Sequence, residues 1–159
     1  MSELSNIHIR KMTADDPAGL AVAFADMNKS QKQFERYWRE NTARKRLTFV
    51  AEHDGCIVGY ANVIWEPEYE PFRSNGIPEI NDMNTATPLR RHGIGSKMIA
   101  AAEELVRSRG KTTIGIGVGV TPDYAIAQSL YPHLGYVSDG TGVHPDEWGG
   151  CIYSTKKLD

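Results

Sequence analysis

Only two cysteines, Cys56 and Cys151, occur in the 159 residues. Two are too few for a disulfide framework, and neither lies in a CxxC or Cys/His ligand spacing, so both read as reduced, partly buried thiols. The five histidines, His8, His53, His92, His133 and His144, show no ligand spacing, and no metal is expected. No apolar run approaches the ~18 residues needed to cross a bilayer, and the first residues hold no apolar stretch of signal-peptide length. The expectation is a cytoplasmic protein with no membrane association. A basic excess is missing too: net charge is −2, against the broad cationic face of a general nucleic-acid binder. No GxSxG stretch marks a serine hydrolase. Repeats, low-complexity tracts and long linkers are absent, so residues 1–159 read as a single domain of ordinary composition, 40% hydrophobic and 24% charged.

What is present is a mixture of strand and helix patterns. Residues 6–12 alternate apolar and polar as a first strand. A helix opened by Asp15 or Asp16 follows, with Pro17 in its first turn and Leu20, Phe24 and Met27 at helical spacing. Residues 31–41 suit a second helix carrying Phe34, Tyr37 and Trp38 on one side. Residues 47–52 and 56–65 read as a hairpin turning at Asp54-Gly55. The three-proline stretch 66–78 is expected to be a loop, and 79–87 a strand. The clearest helix runs over 94–109, with Met98, Ala102, Leu105 and Val106 as its apolar stripe and Gly110 closing it. Strand 111–122, helix 124–135 and strands 136–139 and 151–158 complete the order. Hairpins early and βαβ later imply an α/β (mixed α+β) fold around one mixed sheet.

One stretch is not explained by a turn alone. Pro88-Leu89-Arg90-Arg91-His92-Gly93-Ile94-Gly95-Ser96 lies between a strand and the best-defined helix. Amides at a helix start are unpaired, and the helix dipole adds partial positive charge. Gly93 and Gly95 remove side chains that would block a phosphate, while Arg90, Arg91 and His92 supply donors at the rim. The pattern suits an anion such as a pyrophosphate; a solvated basic turn is the plainer alternative. Two better-known phosphate motifs fail. The Walker pattern would need glycine where Leu105 stands, and GxGxxG breaks at Met98 and at Val120.

Arg90-x-x-Gly93-x-Gly95 resembles the [Q/R]-x-x-G-x-[G/A] signature of the GNAT superfamily of N-acetyltransferases, and its strand–turn–helix flanks agree. About 35 residues on, Ala127, Leu130, Tyr131, Gly135 and Tyr136 match a second signature, A-x-x-L-Y-x-x-x-G-[FY]. The resemblance implies a mostly antiparallel central sheet with helices on both faces. It also implies acetyl-CoA as co-substrate, with its pyrophosphate on the backbone of Arg91, His92, Gly93, Ile94, Gly95 and Ser96. Its pantetheine arm would lie along Met83, Asn84 and Thr85, whose amides would polarise the thioester carbonyl. A small-molecule or peptide amine would be the acceptor, and a homodimer is common in the family. Three positions depart from the family pattern: Thr85 where an apolar residue is usual, Pro88 one place late, and Tyr124 where asparagine often contacts the cofactor.

Tyr131 is the expected acid, since a phenol can protonate a departing thiolate; packing the helix on the sheet is its other use. Glu79 and Asp82 are the nearest base candidates, acting directly or through water, though either could be a surface carboxylate. Glu66, Glu68 and Glu70, interleaved with Tyr69, could form an acidic rim attracting a cationic amine, or a solvated loop. Gly115, Gly117 and Gly119 share one face of their strand, so a helix or an acyl-CoA arm should approach there closely. The reading is an N-acetyltransferase working by direct attack; a non-catalytic acyl-CoA sensor or interaction module is the alternative.

Overall fold

The structure, a computed structural model, describes residues 6–86 and 93–159. The chain order is β1 (Ile7–Lys11), α1 (Asp16–Ala23), a 3₁₀ turn (Ala25–Met27), α2 (Gln31–Thr42), β2 (Arg46–His53), β3 (Cys56–Ile64), α3 (Glu70–Ser74), β4 (Glu79–Thr85), α4 (Ile94–Ser108), β5 (Thr113–Gly119), a 3₁₀ turn (Pro122–Tyr124), α5 (Ala125–His133), β6 (Val137–Ser138) and β7 (Cys151–Lys157). The strands form one sheet in the order β1-β2-β3-β4-β5-β7-β6. Among the described residues only β4 and β5 pair in parallel, as a strand–helix–strand connection requires.

Side-chain alternation decides which helices cover which face. Val50 of β2 and Tyr60 of β3 point to one face, where they are buried with Leu20 and Phe24 of the α1 region and Phe34 and Tyr37 of α2. The rings of Phe24 and Phe34 meet Tyr60 edge-on at 4.9 and 5.1 Å. Phe49, Val63, Ile80, Ile114 and Ile116 point to the other face and bury against Ile99, Ala102 and Val106 of α4 and Tyr131 of α5. The two faces are called here the α2 face and the α4 face. The Asp54-Gly55 hairpin turn has positive φ at both residues, 50° and 81°, as expected for a two-residue turn that matches strand twist.

Three expectations are corrected. The stretch 66–78 is not all loop: α3 forms within it, with Pro71 in its first turn, because Phe72 is drawn into the core and is 1% exposed. What approaches the glycine face of β5 is neither a long helix nor left open for an acyl arm; it is a row of aromatic rings. A Cβ on Gly115 would lie 2.4 Å from the Phe72 ring, one on Gly119 2.2 Å from Tyr124, and one on Gly117 3.1 Å from Tyr153. Cys56 is also exposed, not partly buried; both cysteines are free thiols.

A buried polar chain crosses the α2 face. Asn41 of α2 donates to the Thr48 hydroxyl at 2.8 Å and accepts from the Thr48 amide at 2.9 Å. Thr48 donates to Asn62 Oδ1 at 2.7 Å. Asn62 then donates to the main-chain carbonyls of Asn81 and Asp82 at 3.2 and 3.3 Å. Thr48 and Asn62 are both fully buried, so each bond satisfies a group that would otherwise be orphaned.

Gly115→Ala is expected to lower unfolding stability by about 1–3 kcal/mol, because the Phe72 ring must leave its place; urea unfolding measures it. Asn62→Ala removes the acceptor of the buried Thr48 hydroxyl proton and the donor to two main-chain carbonyls. It is expected to lower stability by about 2 kcal/mol in the same assay.

Candidate active site

β4 and β5 stay together for only two residue pairs, Glu79 with Gly115 and Ile80 with Ile116. Beyond them β4 bulges. Tyr60 pairs with Asn84 and Asn62 with Asn81, so β4 spends one residue more than β3 over the same span. The bulge centres on Asp82, whose φ of 44° is left-handed, a conformation that Asp tolerates better than most residues. β5 meanwhile stays paired with β7 to Gly119. The two strands part, and a cavity of ≈ 1960 Å³ opens in the gap.

The Asp82 carboxylate is the most heavily bonded group of the site. It accepts from Tyr37 at 2.6 Å, Tyr60 at 3.0 Å, Asn84 at 3.0 Å, Gln33 at 3.1 Å and Lys29 at 3.1 Å. Burial first, and then the Asp82 charge, hold both tyrosines above the ordinary phenol range. With its lone pairs taken by five donors, this carboxylate ties α2 and the segment before it to the bulge. Glu79 differs. It is 8% exposed and receives one hydrogen bond, from Asn81 at 3.2 Å. Burial pushes it up to about 7; the Asn81 bond opposes the shift and the Glu68 charge adds to it. A carboxyl poised near neutrality is suited to taking a proton.

Tyr131 reaches the cavity from the α4 face. It is 7% exposed, its hydroxyl makes no hydrogen bond among the described residues, and it is pushed up to about 12 by burial alone. Its phenol therefore keeps its proton at neutral pH. Glu79 projects from the opposite face, since it pairs across from Ile64 and Ile64 from Arg46 on the α2 side. The acid and base candidates thus line one cavity from the two sides of the sheet.

At the α4 end, Gly93 is the residue before the helix, with φ 83°, and no side chain caps the first turn. Among the described residues the amides of Ile94, Gly95 and Ser96 have no side-chain partner. Gly95 has the Met83 side chain 3.7 Å from where its Cβ would stand, so the helix start abuts β4. Met83, Asn84, Thr85 and residues 93–96 all line the cavity. Arg90, Arg91 and His92 lie outside the described residues. Tyr124 lines the cavity as well, but it covers Gly119 on the α2 face, across the sheet from the α4 start.

The acidic stretch divides. Glu66 and Glu68 are exposed and line the cavity. Glu70 begins α3 instead. Tyr69 is no free rim: it stacks on Tyr153 at 3.6 Å and donates to Asp139 at 2.5 Å. Residues that the sequence did not single out for the site are Tyr37 and Tyr60 on Asp82, Asn62 under the bulge, and Tyr153 with His144 beside Tyr69. They are 19 to 84 residues from these partners, and no spacing rule reaches so far. Among the described residues no group of three His, Cys, Asp or Glu could hold a metal, and no helix is long and apolar enough to cross a membrane.

Comparison with known proteins adds the family. No curated protein matches the sequence. Among solved structures, a ribosomal-protein-alanine N-acetyltransferase from Brucella melitensis is 22% identical with a TM-score of 0.75, over 95% of this chain and 99% of that one. PaiA N-acetyltransferase from Thermoplasma acidophilum, in complex with coenzyme A, is 15% identical with a TM-score of 0.72, over 96% and 99%. YncA from Salmonella typhimurium, solved with acetyl-CoA, is 19% identical with a TM-score of 0.74, over 98% and 95%. At such identities the likeness shows the fold. The acetyltransferase (GNAT) family model matches residues 11–136, most of the chain and the whole of the β4–α4–β5 unit around the cavity. The chain belongs to the GNAT family of acetyltransferases.

Proposed function

We propose that the protein transfers an acetyl group from acetyl-CoA to a primary amine by direct attack. The observation that carries this reading is that Glu79 and Tyr131 face one gap in the sheet from opposite sides. The fit of the co-substrate rests on the uncapped amides of residues 94–96 beside a glycine, a donor set suited to a diphosphate, and on the parted strand edge above them. The likeness to structures solved with coenzyme A and acetyl-CoA supports it.

Bound there, acetyl-CoA would supply an activated thioester. Glu79, half ionised near pH 7, takes a proton from the incoming ammonium, directly or through water. Those main-chain amides of the stretch Met83, Asn84 and Thr85 that face the gap would hold charge developing on the carbonyl oxygen. Tyr131 holds the proton needed by the sulfur as the carbon–sulfur bond breaks. Attack by the amine needs no acyl-enzyme. Burial pushes the Cys151 thiol up, which works against its acting as a thiolate nucleophile.

An amine-panel assay for free thiol tests the reading. Turnover with at least one amine is expected. Tyr131→Phe should lower kcat about 10²-fold or more while CoA still raises the melting temperature. Thermal stabilisation by CoA with no thiol from any amine would instead mark a non-catalytic acyl-CoA sensor.

The pH dependence separates the two side chains. kcat/KM should fall below pH about 7 as Glu79 protonates, and Glu79→Gln should remove that limb along with most of the rate. The stability effect runs the other way. The folded carboxyl titrates above its unfolded value of 4.5. Its favourable contribution is therefore complete below 4.5 and lost as pH rises through 7, where the buried charge destabilises. Glu79→Gln is expected to be more stable than the parent at pH 8, by up to about 3 kcal/mol, with the gap closing at pH 4; melting temperatures at the two pH values measure it.

A further inference from the structure

The row of side chains that carries Glu79 extends across the α2 face. Arg46 pairs directly opposite Ile64, and Ile64 directly opposite Glu79, so all three point the same way. All three line the cavity. At one end Arg46 is 95% buried by side chain, 5% remaining exposed. Its Cζ lies 4.0 Å over the Tyr37 ring, and its one hydrogen bond among the described residues runs from Nε to Glu40 at 3.1 Å. Nη1 is buried with no acceptor. A buried guanidinium nitrogen without an acceptor is expensive, and the terminal pair of nitrogens is the edge that takes a carboxylate in bidentate fashion.

The row is therefore polar at both ends and apolar in the middle. Glu79, with the Glu68 charge acting on it, forms the acidic end. Arg46, whose Nε is ion-paired to Glu40 at 3.1 Å, forms the basic end with its terminal nitrogens still without an acceptor among the described residues; exposed Arg44 and Lys45 precede it, line the cavity and form no ion pair among the described residues. Ile64 lies between. The Cα atoms at the two ends are separated by two strand spacings, about 10 Å.

We propose that the acceptor is of the amino-acid class: an amine, presented to Glu79, that carries a carboxylate bound by Arg46. The carbon chain between the two groups passes over Ile64. This rests on the acyl-transfer reading above and adds the substrate class and a specificity residue.

The test uses the intact protein and matched pairs of amines: glycine, β-alanine and 4-aminobutanoate, each beside its own carboxamide, with 1,4-diaminobutane as a dication. At least one acid is expected to exceed its carboxamide and the diamine by about 10-fold or more in kcat/KM. Arg46→Gln should raise KM for that acid about 10- to 100-fold, leave its carboxamide within about twofold, and leave kcat little changed; Arg46→Lys should recover part of the loss. If Arg46→Gln does not fold, as its melting curve will tell, the comparison of acids with carboxamides on the parent protein decides alone. Carboxamides or the diamine matching or exceeding every acid would overturn the proposal while leaving acyl transfer standing. Failure of every amine to release thiol would overturn both.

Discussion

Asp82 stands in the left-handed region in the middle of a strand, a conformation that costs about 1 kcal/mol or more for a residue with a side chain. Two sets of hydrogen bonds hold it there. The Asn62 side chain donates to the main-chain carbonyls of Asn81 and Asp82, and five donors converge on the carboxylate. Bonds to a charged group contribute roughly 1.5–3 kcal/mol each, enough to offset the strain. Without that extra residue β4 would run on beside β5, and the gap between them would close.

The gap gives the two sides of the sheet different work. The α4 face holds the uncapped helix start and a buried phenol with its proton. The α2 face holds a carboxyl raised to about 7 and a row ending in a buried guanidinium. A sheet closed along its length would keep these groups apart. The α2 face also carries the glycines of β5, which have given their side-chain space to Phe72, Tyr153 and Tyr124; of these rings, Tyr153 and Tyr124 line the cavity.

Much of this was legible in the order of residues. Alternation and helical spacing placed every long element: helices α2 and α4 bury one stripe each, while β2 and β3, buried on both faces, read as apolar runs bounded by turn residues. Short α3 was missed because Pro67, Pro71 and Pro78 outweigh the one buried side chain, Phe72, that fixes it. The α4 start and Tyr131 could be found because their chemistry is written in contiguous residues. The Asp82 hub and the free edge of Arg46 could not. Their partners come from other elements, and whether a carboxylate is spent on five donors or poised to titrate depends on burial that local sequence does not encode. Glu79 and Asp82 look alike in the chain, three residues apart; the bulge between them gives them different surroundings.

The central claim is that a ligand enters from the α4 face and presents its thioester in the gap between β4 and β5. A crystal structure with coenzyme A tests it most directly. The account predicts the diphosphate on the amides of residues 94–96, the pantetheine arm along Met83, Asn84 and Thr85, and the sulfur within reach of the Tyr131 hydroxyl, with Glu79 beyond it. Coenzyme A seated away from the gap, or a sulfur turned away from Tyr131, would contradict it.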